Sequence, residues 1–208
     1  MPTSDDNPLN SPRANNHLAY RLRWKPARQV LRSQVPEGLL DWLLDTASLT
    51  RRIQLACDGA FRVRVLEQGW GRPRRDEIAA LGMRANERAL IRQVQLRCDE
   101  RVWVYARTVI PHATLTGRQR RLAHLGSRPL GAVLFADPGM RRGPVQVARI
   151  QRGQPLYEAA CRDRRARPQE IWGRRSVFRL AGKPLLVAEI FLPDLPRERH
   201  GLMVHDGR

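Results

Sequence analysis

Two residues carry charge where a folded chain would be expected to bury only carbon. Glu189 interrupts the apolar run Leu185 to Leu192, and by two-residue alternation it shares a face with Leu185, Val187 and Phe191. A carboxylate there is costly unless a partner holds it or it titrates to neutral. Arg92 has the same oddity, sharing a face with Leu90, Val94 and Leu96 while Gln93, Gln95 and Arg97 point away. Two readings follow. The pair could be one buried ion pair that holds a sheet in register, or a one-residue slip could turn both outward. Alternatively, they wall a small enclosed pocket in which Arg92 binds an anionic ligand and Glu189 handles a polar group or a proton.

Two helix starts add to the pocket reading. Leu49 follows the capping candidates Thr46 and Ser48, and Leu130 follows Pro129, a residue suited to the first position of a helix. First-turn N–H groups have no partner inside the helix and can meet an anion, although a cap or water serves them as well. Other chemistries are poorly supplied. The five histidines present no ligand pair on one face, so no metal is expected. Ser176 and Cys98 lack a nearby base, and no glycine-rich phosphate loop occurs.

The elements that must position these residues can be read along the chain. Residues 1 to about 20 are polar and read as a disordered segment. Pro36 opens a helix with the stripe Leu39, Leu40, Leu43, Leu44 and Ala47, and a second short helix runs from Leu49 to Leu55. Phe61 to Gln68 alternates as a half-exposed strand, Gly69 to Arg75 reads as a loop, and Asp76 to Leu81 as a helical turn. Ala89 to Arg97 and Val102 to Ile110 form a hairpin around Asp99 and Glu100. Helices follow at Thr116 to Leu125 and at Leu130 to Phe135. The region from 136 to 172 is arginine-rich, with a strand at Val145 to Ile150 and a basic insertion around 151–168 that reads as exposed. A closing hairpin, Gly173 to Pro193, turns at Ala181-Gly182-Lys183, and 194–208 is a polar tail. Strands with helices grouped between them indicate a single α+β domain, about 21–193, on an antiparallel sheet.

Composition bounds the partners. The 208 residues carry a formal net charge of +18 from 38 basic and 20 acidic side chains. Such a charge attracts polyanions, but only Lys25 and Lys183 are lysine, the arginines are scattered, and no nucleic-acid-binding motif is present. Non-specific, salt-sensitive adhesion is therefore expected rather than specific nucleic-acid binding. Cys57, Cys98 and Cys161 are an odd, widely spaced set, which reads as free thiols in a reducing compartment. No apolar run reaches the ~18 residues of a membrane helix, and Met1 to Asn16 contains Asp5 and Asp6 rather than a secretory core. The expected location is the cytoplasm.

Four segments in order also carry a family resemblance: Leu39 to Arg52 (LLDWLLDTASLTRR), Arg107 to Thr116 (RTVIPHATLT), Arg128 to Phe135 (RPLGAVLF) and Trp172 to Pro193. Together they resemble chorismate lyase, which converts chorismate to 4-hydroxybenzoate and pyruvate for ubiquinone biosynthesis. The resemblance implies an α+β monomer without a cofactor, its ligand closed off beneath helical flaps. It places ligand-binding positions on Leu49, Arg92, Leu130 and Glu189, with Leu49 standing where the family is expected to carry methionine. The competing expectations are a non-enzymatic effector-sensing domain of related fold, as in transcription regulators, and a basic nucleic-acid-binding protein.

Overall fold

The computed structural model describes residues 22–197. The segment expected to be disordered, and the tail beyond 197, lie outside the described residues. In chain order the elements are β1 (Lys25–Pro26), α1 (Leu40–Leu44), α2 (Leu49–Ala56), β2 (Phe61–Gly71), α3 (Arg75–Leu81), β3 (Ala89–Cys98), β4 (Arg101–Pro111), α4 (Leu130–Phe135), β5 (Arg141–Arg142), β6 (Gln146–Gln151), α5 (Pro155–Ala160), β7 (Glu170–Leu180) and β8 (Lys183–Phe191). The strands form one antiparallel sheet in the order β1-β6-β7-β8-β4-β3-β2, with β5 added to β7. The α+β class is as the strand and helix patterns indicate.

Strand alternation gives the sheet two differently furnished faces. On one, Val94 and Leu96 of β3, Ala106 of β4 and Val147 of β6 pack beneath Trp42, Leu43, Leu49 and Ile53 of α1 and α2. Farther along the same face, Leu90, Ile110, Phe178, Leu185 and Val187 pack beneath Leu122 and Leu134. The opposite face carries Tyr105, Ile150, Ile171, Ala188 and Ile190 under Leu156 and Tyr157 of α5, and Ala89, Val109 and Leu186 under Leu81 of α3. Strand β8 sits centrally and is buried on both faces over most of its length, which explains an apolar composition broken within Leu185–Phe191 by Glu189 alone. Its turn needs positive φ at Ala181 (49°) and Gly182 (77°), a conformation glycine reaches without a Cβ penalty.

Several expectations need correction. Cys57 and Cys98 are not free thiols: they form a disulfide with Cα atoms 5.7 Å apart, and only Cys161 is free, and buried. The β2–β3 register, Phe61 opposite Cys98, brings the end of α2 beside the end of β3 despite a separation of 41 residues. Closing a loop of that length is worth about 4 kcal/mol of unfolded-chain entropy. The stretch around 151–168 is not simply an exposed insertion, because α5 within it buries Leu156, Tyr157 and Ala160. The loop expected from Gly69 begins as strand, since β2 runs to Gly71. The segment after Thr116 is a 3-10 helix, Gly117–His124, and Thr116 supplies no side-chain cap. The polar tail starts packed: Leu195 is buried and the Trp42 indole donates to the Pro196 carbonyl at 3.0 Å.

Candidate functional site

The register sets two polar rows across the middle of the face roofed by α2 and α4. In one, Arg92 lies opposite Thr108, and Thr108 opposite Val187. In the next, Val94, Ala106, Glu189, Arg174 and Val147 follow one another across β3, β4, β8, β7 and β6. These rows divide the two apolar clusters of that face, and a cavity of about 50 Å³ lies over them. Arg92, Thr108 and Glu189 line its floor, while Leu49, Thr50, Leu130 and Gly131 line its roof. The four residues singled out from the sequence thus border one cavity. The space exceeds the ~10–15 Å³ that a single water needs.

Arg92 is 2% exposed and meets no carboxylate among the described residues. Nη1 donates to Gln68 Oε1 at 2.8 Å, and Nη2 to the carbonyls of Gly126 (2.8 Å) and Arg128 (3.4 Å). Those bonds use at most three of the five N–H groups of a guanidinium. Burial pushes its pKa below the usual arginine value. A cation desolvated without a counter-ion is a standing cost that an anionic ligand would relieve. Gln68 reaches Arg92 because β2 carries a bulge between Val65 and Glu67, which reverses the alternation and turns Gln68 onto the cavity face.

Glu189 does not pair with Arg92. Its Oε2 accepts from Arg174 Nε at 2.6 Å, and Oε1 has no hydrogen bond from a described residue. Its side chain keeps 18% of its exposure, against 1% for Arg174. A carboxylate held on one oxygen and open on the other can accept a hydrogen bond from a ligand hydroxyl. Arg174 was missed from the sequence, although it shares its strand face with Trp172 and Phe178, the same signal that exposed Arg92. The arginine-rich composition masked it.

The roof is built from two helix starts. Ser48 caps α2 by accepting from Arg51 N at 3.4 Å, leaving the Leu49 and Thr50 amides to the first turn. Leu130 opens α4 after Pro129 with no side-chain cap. The halves meet at Gly131, where an added Cβ would stand 2.9 Å from Thr50 Oγ1. Arg142 anchors the approach to α2, donating to Thr46 O at 2.8 Å, to Asp45 O at 3.5 Å and to Ser176 Oγ at 3.1 Å. Burial, and then the nearby Arg174 charge, lower its pKa.

Larger concavities lie elsewhere: about 490 Å³ beside β1 and β6, and about 630 Å³ around Trp70 and His112. Both are open grooves, whereas the small cavity combines enclosure, apolar walls and converging charge, the ordinary features of a small-molecule site. Among the described residues no group of three or more His, Cys, Asp or Glu side chains is placed to hold a metal ion. No helix of the described residues is long and apolar enough to cross a membrane.

Comparison with known proteins follows the same line. The sequence profile described as chorismate lyase matches residues 18–199. A probable chorismate pyruvate-lyase of Methylococcus capsulatus is 47% identical over 152 residues, covering 73% of this chain and 93% of that protein. One from Azoarcus sp. is 49% identical over 159 residues, covering 74% and 84%. One from Pseudomonas aeruginosa is 42% identical over 172 residues, covering 83% and 92%. Among solved structures, PhnF from Mycobacterium smegmatis superposes with a TM-score of 0.53 at 13% identity over 77% of this chain and 70% of its own, a likeness of fold alone.

Proposed function

The chain belongs to the chorismate lyase family, and on that premise we propose that it eliminates pyruvate from chorismate to release 4-hydroxybenzoate. The observation that carries the site assignment is Arg92: a buried guanidinium with no carboxylate among the described residues, at the floor of a partly enclosed cavity. In this reading Arg92, with the Leu49 and Leu130 amides, binds carboxylate charge. The free Oε1 of Glu189 accepts a hydrogen bond from the ring hydroxyl. Cleavage of the ether C–O bond sends its electron pair out with the enolpyruvyl oxygen, loss of a ring proton aromatises the ring, and the enol gains a proton to become pyruvate. Aromatisation drives the reaction, so the protein's task is orientation and stabilisation of charge on the departing oxygen. Glu189, held on Oε2 by Arg174 with Oε1 facing the cavity, is the group placed to take a proton at the ring end.

The family further implies a cofactor-free monomer that feeds ubiquinone biosynthesis from the cytoplasm. In a reducing cytoplasm the Cys57–Cys98 bond would persist only by inaccessibility, and while Cys98 is 1% exposed, Cys57 is only half-buried.

Incubation with chorismate, following both products, tests the reading. Equal amounts of 4-hydroxybenzoate and pyruvate support it. Formation of 3-hydroxybenzoate would change the product, and tight ligand binding without turnover would make the protein a sensor.

A further inference from the structure

We propose that Arg174 is a positioning residue that joins the Glu189 carboxylate and the root of the roof into one mechanical unit. Its Nε holds Glu189 Oε2 at 2.6 Å. From the same guanidinium, Nη1 donates to Trp42 O at 2.8 Å and to Asp45 O. These carbonyls belong to the last turn and C-cap of α1, groups that the helix itself leaves without partners. A cation at that end is also favoured by the helix dipole. Three residues beyond Asp45 comes Ser48, the cap of α2, and then Leu49 in the roof.

A simple buried ion pair would not need this arrangement. Arg174 is 1% exposed, and apart from Glu189 its side-chain hydrogen bonds run to the segment 42–45, more than a hundred residues away in sequence. If a ligand shifts Glu189, Arg174 must shift with it, and the carbonyls that fix the root of α2 move or lose their donor. Burial makes half-measures expensive, since a displaced guanidinium has no water to turn to. Arg142 supplies the contrast. It pins the same root through Asp45 O and Thr46 O but makes no hydrogen bond to Glu189, bonding instead to Ser176. Arg52 of α2 holds the root as well, through Asp41 O at 2.8 Å and Asp45 Oδ2 at 3.2 Å, but of the three arginines Arg174 is the one hydrogen-bonded to the Glu189 carboxylate.

The naming of Glu189 as the reacting carboxylate rests on the proposed function, but the coupling can be measured without turnover. Hydrogen exchange of the backbone amides of residues 46–56 is followed in the ligand-free, full-length protein. Glu189→Gln and Arg174→Lys each should speed exchange there about tenfold, and the double variant no further than either single one. Arg142→Lys should add its own acceleration to that of Glu189→Gln. With chorismate as substrate, kcat of Arg174→Lys should fall with that of Glu189→Gln, and the double variant should again match the single ones. Roof exchange unchanged in Glu189→Gln, or additive effects of Glu189→Gln and Arg174→Lys, would overturn the coupling. Should Arg174→Lys fail to fold, Glu189→Gln alone decides through its exchange. A wild-type protein that makes no 4-hydroxybenzoate while its variants show linked exchange would overturn the function and leave the coupling standing.

Discussion

The two faces of the sheet carry the same kind of burden and resolve it differently. On each, two apolar clusters are parted by buried arginines, and β4 contributes to both belts: Thr108 to one and Arg107 to the other. On the α3 face every buried guanidinium has its carboxylate. Arg107 grips Glu77 through two bonds of 2.7 and 3.1 Å, and Arg175 meets Asp76 at 2.7 Å. Burial alone would lower the pKa of Arg107, but the Glu77 hydrogen bond and charge outweigh it and leave it raised. On the cavity face Arg92 is lowered by burial with nothing to offset it. One face has each buried guanidinium paired and serves as structure; the other pairs Arg174 with Glu189 but holds the charge of Arg92 open toward a space. The difference lies in pairing, not in burial.

The sharpest way to break this comparison is to delete the unpaired cation. Arg92→Ala should reduce lyase turnover by on the order of 10³-fold while the thermal midpoint stays within a few degrees, measured by product formation and by calorimetry. A normal rate would sink the pocket assignment. The matching deletion on the other face, Arg107→Ala, leaves buried Glu77 with only the Arg74 amide and a guanidinium 4.0 Å away, and should cost about 3 kcal/mol in urea unfolding, with turnover per folded molecule retained. Restoring stability by pairing Arg107→Met with Glu77→Leu would confirm that this belt is structural. Glu189→Gln should lower turnover about 100-fold and lose far less stability than activity; comparable losses of both would return Glu189 to the role of a mere ion-pair partner.

The smallest effect is a pH dependence. Burial raises the Tyr105 phenol to about 12 from its ordinary 10. Between those values the unfolded chain has released the proton and the folded chain has kept it, so stability is full below pH 10 and falls as pH rises toward 12. Over the whole interval the loss is at most about 2.7 kcal/mol at ~1.36 kcal/mol per unit. Tyr105→Phe should flatten this slope in urea unfolding at pH 9.5 and 11.5 and leave the cavity face untouched. A slope that persists would place its origin elsewhere.

Much of this was legible from alternation alone. Period two put Glu189 and Arg92 on the inward faces of β8 and β3, and capping residues marked both helix starts of the roof. What alternation could not supply was who meets whom across the sheet. Arg92 and Glu189 looked like mutual partners, yet register sets them one row apart and gives Glu189 to Arg174. Gln68 was hidden for a different reason, because a bulge reverses the parity of β2 in mid-strand. Arg107, Arg174 and Arg175 were lost in a composition where nearly every cation is arginine, so that buried and solvated ones look alike. The disulfide was missed because spacing says nothing about a pairing that only strand register creates.

The closeness of the roof's two halves at Gly131 has an evolutionary side. A neighbour 2.9 Å from where a Cβ would sit means that every replacement of this glycine, however conservative, must turn the Thr50 hydroxyl aside. Descendants of this chain therefore have a place at which to adjust the roof: one methyl group at Gly131, distant from Arg92 and Glu189 in sequence, presses on Thr50 without altering either charged group of the cavity.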